Sequence, residues 1–162
     1  MSVPDLTLRR SQTPAVHDTF RIERVYRQSP SRVFEAFRDK SIVRRWRVES
    51  ENCEVHEFLY DFRIGGSEVS RFSFAGGPEI RLDAQFQDIV TEKRIVFSYR
   101  MTMGANPMSV SLTTVEFFAS GGGTSLIFTE QGAYFDGMEA GGREHGCREL
   151  LERLAYQLET VN

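Results

Sequence analysis

The chain has 162 residues, room for one domain that buries its own core without a metal or disulfide staple. Its 20 Lys and Arg against 23 Asp and Glu leave a net charge of −3, which excludes a dedicated binder of nucleic acid or anionic membrane. No segment approaches the ~18 consecutive apolar residues of a membrane span, and two cysteines, Cys53 and Cys147, cannot frame a disulfide scaffold. Reduced thiols and the lack of an apolar leader near Met1 lead us to expect a cytoplasmic protein.

Residues 1–18 read as an N-terminal tail, and residues 19–160 as a single domain. Phe20–Tyr26 alternates and is rich in β-branched and aromatic residues, so it predicts a strand. Ser29-Pro30 then opens a helix: Ser29 caps the free N–H groups, and Pro30 sits where its missing N–H costs nothing. Val33, Phe34, Ala36 and Phe37 recur at helical spacing. Asp39 caps a second short helix with Ile42, Val43 and Trp46 on one side.

From about Glu54 to Gln131 the pattern turns to short alternating runs separated by turn signals. Gly65-Gly66, Gly76-Gly77-Pro78 and Gly121-Gly122-Gly123 punctuate them. Ile80, Leu82, Ala84 and Phe86 share one face, as do Ile95, Phe97, Tyr99, Met101 and Met103. Connections this short make the strands antiparallel. A last helix carries the stripe Cys147, Leu150, Leu151, Leu154 and Leu158, with Asp136 to Glu139 as a capping box. Gly141, Gly142 and Gly146 weaken its first turns by roughly 1 kcal/mol each. The whole predicts an α+β fold: a curved antiparallel sheet of about six or seven strands, two short helices after the first strand, and a long C-terminal helix covering the sheet.

Specific strings follow this order. They are Ser29-Pro-Ser-Arg-Val-Phe34, Trp46, Asp61-Phe-Arg-Ile-Gly-Gly66, Phe128-Thr-Glu-Gln-Gly132, and Gly146 followed by Leu150, Leu151 and Leu154. In them the chain resembles the helix-grip superfamily of START domains and polyketide cyclases, and within it the group named after the activator of the heat-shock-protein-90 ATPase. The resemblance spans about residues 19–160 and implies a helix-grip domain, a fold that serves ligand carriage, ring cyclisation, isomerisation and co-chaperone binding. Such relatives usually carry a second aromatic beside Trp46, where Arg45 and Arg47 stand here. They often carry Trp where Cys147 stands, and a smaller side chain there would enlarge a pocket.

Thirteen Phe, five Tyr and one Trp are enough rings to line an apolar cavity as well as fill a core. The expected function is binding of a small apolar ligand between sheet and C-terminal helix. Trp46, Phe97, Tyr99, Met101, Phe128 and Cys147 would form its walls, with Glu130 as the polar contact. Each has a plainer reading. Trp46 anchors the short helices, Tyr99 and Met101 are core, and Glu130 pairs with an arginine at the sheet's end. An alternative is a polyketide cyclase- or isomerase-like enzyme with Glu130 as general base and Tyr99 as oxyanion donor, which requires the two within hydrogen-bond reach. A second alternative is a co-chaperone-like protein-binding module, which no residue here specifies. Edge strands are available to pair in a homodimer.

His145 lies off the apolar stripe of its helix and reads as a surface imidazole rather than an acid or base. Arg24, Arg71 and Arg81 interrupt strand faces; one turned inward would grip a carboxylate, but outward is expected. His17, His56 and His145 are scattered without metal-ligand spacing, so neither metal nor cofactor is expected.

Overall fold

A computed structural model describes residues 14–138 and 140–160. In chain order they form β1 (Val16–Tyr26), α1 (Pro30–Arg38), α2 (Lys40–Val43), a π-helical turn (Arg44–Val48), β2 (Cys53–Tyr60), β3 (Ser67–Phe74), β4 (Ile80–Val90), β5 (Arg94–Met103), β6 (Asn106–Ser120), β7 (Gly123–Tyr134) and α3 (Ala140–Thr160). Among the described residues there is one sheet of seven strands, order β1-β7-β6-β5-β4-β3-β2, antiparallel at every junction. This is the expected α+β architecture. β1 begins at Val16, so residues 16–18 of the expected tail belong to a sheet edge; residues 1–13 lie outside the described ones.

The short helices form as their caps dictate. Ser29 accepts from the Arg32 N–H at 3.3 Å, and Asp39 accepts from the Ser41 and Ile42 N–H groups at 2.9 and 3.1 Å. The second helix does not run on regularly as its sequence suggests. After one α-turn it widens into the π turn, closed by the Glu49 N–H on the Arg44 carbonyl. The indole N–H of Trp46 donates to the Ala36 carbonyl at 2.8 Å, and its ring meets Phe37 edge-on at 5.1 Å. Trp46 thus anchors the two short helices to each other.

The Asp61 to Gly66 string is explained by backbone geometry. A side chain on Gly66 would stand 2.1 Å from the Asp61 carbonyl, and Gly65 has φ +82°. The Gly65 N–H bonds the Phe86 carbonyl at 2.8 Å, and the Phe86 N–H returns to Gly66 at 3.0 Å. The β2–β3 connection is thereby tied down to β4.

The expected capping box at Asp136 to Glu139 depends on Glu139 and falls partly outside the described residues, but Asp136 does not stand at the helix start. Asp136 (φ 51°) and Gly137 (φ 83°) make a left-handed turn closed by the Met138 N–H on Phe135, and the helix starts at Ala140. Glu139 lies outside the described residues. α3 buries Cys147, Leu151, Leu154 and Leu158. Its closest backbone neighbours are β1, the π turn and α1. The Tyr26 hydroxyl donates to the Leu151 carbonyl at 3.0 Å, and Arg24 pairs with Glu152. The helix leans on the β1 edge and the short helices, and reaches the middle strands through its side chains. No helix among the described residues is long and apolar enough to cross a membrane.

Candidate functional site

The inner face of the sheet is organised in rows set by strand register. One row runs Glu68, Ala84, Tyr99, Ser111, Gly132 across β3 to β7; the next runs Phe86, Phe97, Thr113, Glu130, Phe20. Phe86 and Phe97 pack edge-on at 6.2 Å, and Phe34, Phe37 and Trp46 join the same core. Beside this aromatic wall lies a polar zone that a core serving stability alone would avoid.

Glu130 is its centre, with a side chain 0% exposed. The Tyr99 hydroxyl donates to Oε1 at 2.5 Å and Thr113 at 3.3 Å; Tyr134 donates to Oε2 at 2.9 Å and Ser111 at 3.4 Å. Arg143, from the first turn of α3, lies 3.6 Å from Oε2 and donates at 2.7 Å to both the Tyr99 hydroxyl and Ser109 Oγ. Its guanidinium also stacks 5.5 Å from the Tyr99 and Tyr134 rings. Burial, and then the Glu130 charge, push the Tyr99 hydroxyl well above its ordinary acidity range and raise Tyr134 in the same way. Burial opposes the Arg143 charge, but Tyr99 and Glu130 more than restore it.

Gly132 makes this arrangement fit. A Cβ there would stand 2.7 Å from the Tyr134 hydroxyl and 2.9 Å from Ser111 Oγ. The glycine ending the Phe128 to Gly132 string is the space that Tyr134 uses to reach Glu130.

A second ion pair lies along the same inner face. Glu68 on β3 has a side chain 1% exposed and faces Arg47 from the π turn, itself 15% exposed. Arg47 Nη2 donates to Glu68 Oε2 at 3.1 Å. Its guanidinium also sits 5.9 Å over Trp46 and 5.7 Å over Phe97. Burial raises the Glu68 pKa against the pull of Arg47. Arg47 remains a cation, held by Glu68 and Tyr60 despite its own burial. Cys147, on the helix above, feels Glu130, Arg143 and Arg47; burial first, then Glu130, push its thiol up to about 12.

The sequence-predicted residues therefore occupy one connected interior. Phe97, Tyr99, Trp46 and Cys147 are buried in it, and Met101 and Phe128 pack against it, Phe128 stacked on Phe20 at 6.5 Å. Tyr99 and Glu130 are in direct contact. Arg24, Arg71 and Arg81 instead pair with Glu152, with Glu57 and Glu79, and with Asp83. His145 is 76% exposed and pairs with Glu149. Sequence reasoning missed Arg47, Glu68, Arg143 and Tyr134 as partners in the site. Glu68 was detectable, since it alternates in phase with Ser70 and Phe72, and so was Tyr134, four residues from Glu130 on the same strand face.

An open groove of about 750 Å³ on the outer face is lined by His17, Thr19, Val110, Leu112 and Gln131, among others. Of the inner site, Ser111 and Gly132 also contribute to its lining, and neither buried ion pair does. Among the described residues no group of three or more His, Cys, Asp or Glu is placed to hold a metal.

No curated protein matches the chain. Among solved structures it is similar to the Mll3558 protein from Rhizobium loti, at 63% identity and a TM-score of 0.84 over 90% of this chain and 99% of that one. An uncharacterized protein from Rhizobium leguminosarum shares 36% identity, with a TM-score of 0.86 over 91% and 97%. Protein CV1439 from Chromobacterium violaceum shares 26%, with a TM-score of 0.74 over 88% and 98%. The family model of the Activator of Hsp90 ATPase homolog 1-like protein matches residues 27–159, nearly all of the folded domain, and the chain belongs to that family.

Proposed function

We propose that the protein binds a small, largely apolar molecule between the inner face of the sheet and α3. Trp46, Phe97, Met101 and Phe128 supply the apolar walls, and Tyr99 with Arg143 present the polar end. The observation that carries this reading is the pair of buried ion pairs, Arg47–Glu68 and Arg143–Glu130, set into an otherwise aromatic interior. Burying such pairs costs several kcal/mol per ion before their attraction repays it, and well-packed apolar residues are often at least as stable. Charges kept in that position, with perturbed acidities around them, mark a site of recognition. Two free cysteines agree with a reducing, cytoplasmic setting. Titration with a fluorescent apolar probe, checked by native mass spectrometry, tests the reading: one molecule bound per chain is expected. Binding left unchanged by Phe97→Ala and by Arg143→Ala would overturn it.

The contact between Tyr99 and Glu130 favours a second, catalytic reading, in which this pair acts on a bound cyclic ketone as base and oxyanion donor. Glu130 already accepts from four hydroxyls, so the base role requires a substrate that displaces one of them. Solvent-deuterium exchange into such a ketone, abolished by Glu130→Gln, is the expected sign.

A further inference from the structure

The two buried carboxylates differ in how completely they are bonded. Glu130 has donors on both oxygens, whereas among the described residues no hydrogen bond reaches Oε1 of Glu68. Arg47 Nη1 lies 2.9 Å away as an ionic contact that makes no hydrogen bond to this oxygen. The neighbouring hydroxyls are committed elsewhere. Tyr60, opposite Glu68 in register, donates to the Phe37 carbonyl, and Tyr99 donates to Glu130. Between Glu68 and Tyr99 the row carries only the methyl group of Ala84. A buried carboxylate oxygen with an ionic contact but no hydrogen bond is incompletely satisfied, and the fold retains one beside an arginine that lies against two aromatic rings.

On the reading that this interior binds a small molecule, we infer that Glu68 Oε1 accepts a hydrogen bond from the hydroxyl or N–H of a neutral aromatic ligand, so that the site selects phenol-like molecules over the corresponding carboxylic acids. The donor completes the Glu68 shell while the ring packs against Phe97 and Trp46. An acid is rejected because both arginines are already paired, and its charge would face Glu68 and Glu130.

The test compares naphthol, its methyl ether and naphthoate on the wild-type protein and on Glu68→Gln, by calorimetric titration or ligand-observed NMR. Naphthol is expected to bind at least ~tenfold more tightly than the ether, the scale of a hydrogen bond to a charged acceptor, with naphthoate weakest. In Glu68→Gln the preference should shrink to about twofold or less. Equal binding of naphthol and ether, or tighter binding of naphthoate, overturns this inference and leaves the ligand-binding reading standing. Failure of all three to bind overturns both. Should Glu68→Gln not fold, the comparison of naphthol with its ether on the wild type decides alone.

Discussion

Glu130 and Glu68 are both buried carboxylates on one face of one sheet, and each has its own arginine, but they are built differently. Glu130 is held by four hydroxyls from β5, β6 and β7, with Arg143 further off at 3.6 Å. Among the described residues Glu68 is held by Arg47. The first site is a network that ties three strands together; the second joins one strand to the π turn. The carboxylate of Glu130 is fully bonded, whereas that of Glu68 keeps one oxygen with an ionic contact alone.

Removing Glu130 should therefore cost the most. Glu130→Ala leaves Arg143 buried without its carboxylate and four hydroxyls without an acceptor, for an expected loss of about 4 kcal/mol. That corresponds to a Tm lowered by roughly 8–16 °C for a domain of this size. Glu68→Ala removes one hydrogen bond and the counter-charge of the largely buried Arg47 but leaves no hydroxyl without an acceptor, for a smaller loss of about 3 kcal/mol. Urea denaturation of both variants measures the contrast. Equal losses would mean that the hydroxyl network contributes nothing beyond its ion pair.

Much of this interior could be read from the sequence, and the unread part has a definite cause. Alternation placed Phe97, Tyr99, Phe128 and Glu130 on one face, because register fixes facing once a strand is recognised. The capped short helices and the apolar stripe of α3 were equally plain. The arginines were not. Arg47 is turned inward by a π turn that no periodicity announces, and Arg143 sits among glycines at a helix start that depends on the turn at Asp136 and Gly137. Which charges meet inside is decided by these irregular joints, where local pattern is weakest.

Gly132→Ala probes the Glu130 network more gently. The new methyl would fall 2.7 Å from the Tyr134 hydroxyl and 2.8 Å from Cζ, displacing the ring from Glu130. A loss of about 2 kcal/mol is expected from overpacking. Because the clash and the hydrogen bond involve the same ring, Gly132→Ala and Tyr134→Phe should sum to less than their separate costs. Strict additivity in a double-mutant cycle would show that the ring has moved elsewhere.

Cys147 reports on the interior between the two carboxylates. Its thiol pKa, about 12 when folded against an ordinary 9.0, favours the neutral form in the fold. The stability this contributes is complete below pH 9 and is lost as pH rises towards 12. Wild-type protein should thus lose more stability than Cys147→Ala between pH 9 and pH 11, measured by urea midpoints. At pH 8 a thiol reagent should label the half-buried Cys53 in the native state and reach Cys147 only on unfolding.

The smallest effect is expected two residues along α3 from one of the larger ones. His145 points into solvent and pairs with Glu149 on its own helix, an exposed pair of a kind that rarely registers in stability. Arg143 reaches Tyr99, Ser109 and Glu130 from the same turns of backbone. His145→Ala should leave the Tm within experimental scatter, and Arg143→Ala should lower it clearly while weakening probe binding. The contrast depends on the rotation of α3 about its axis, which sets these two side chains on opposite sides. A His145→Ala variant as damaged as Arg143→Ala would mean that the helix grips the sheet with a different face, and that the ion pair assigned to Glu130 belongs to another partner.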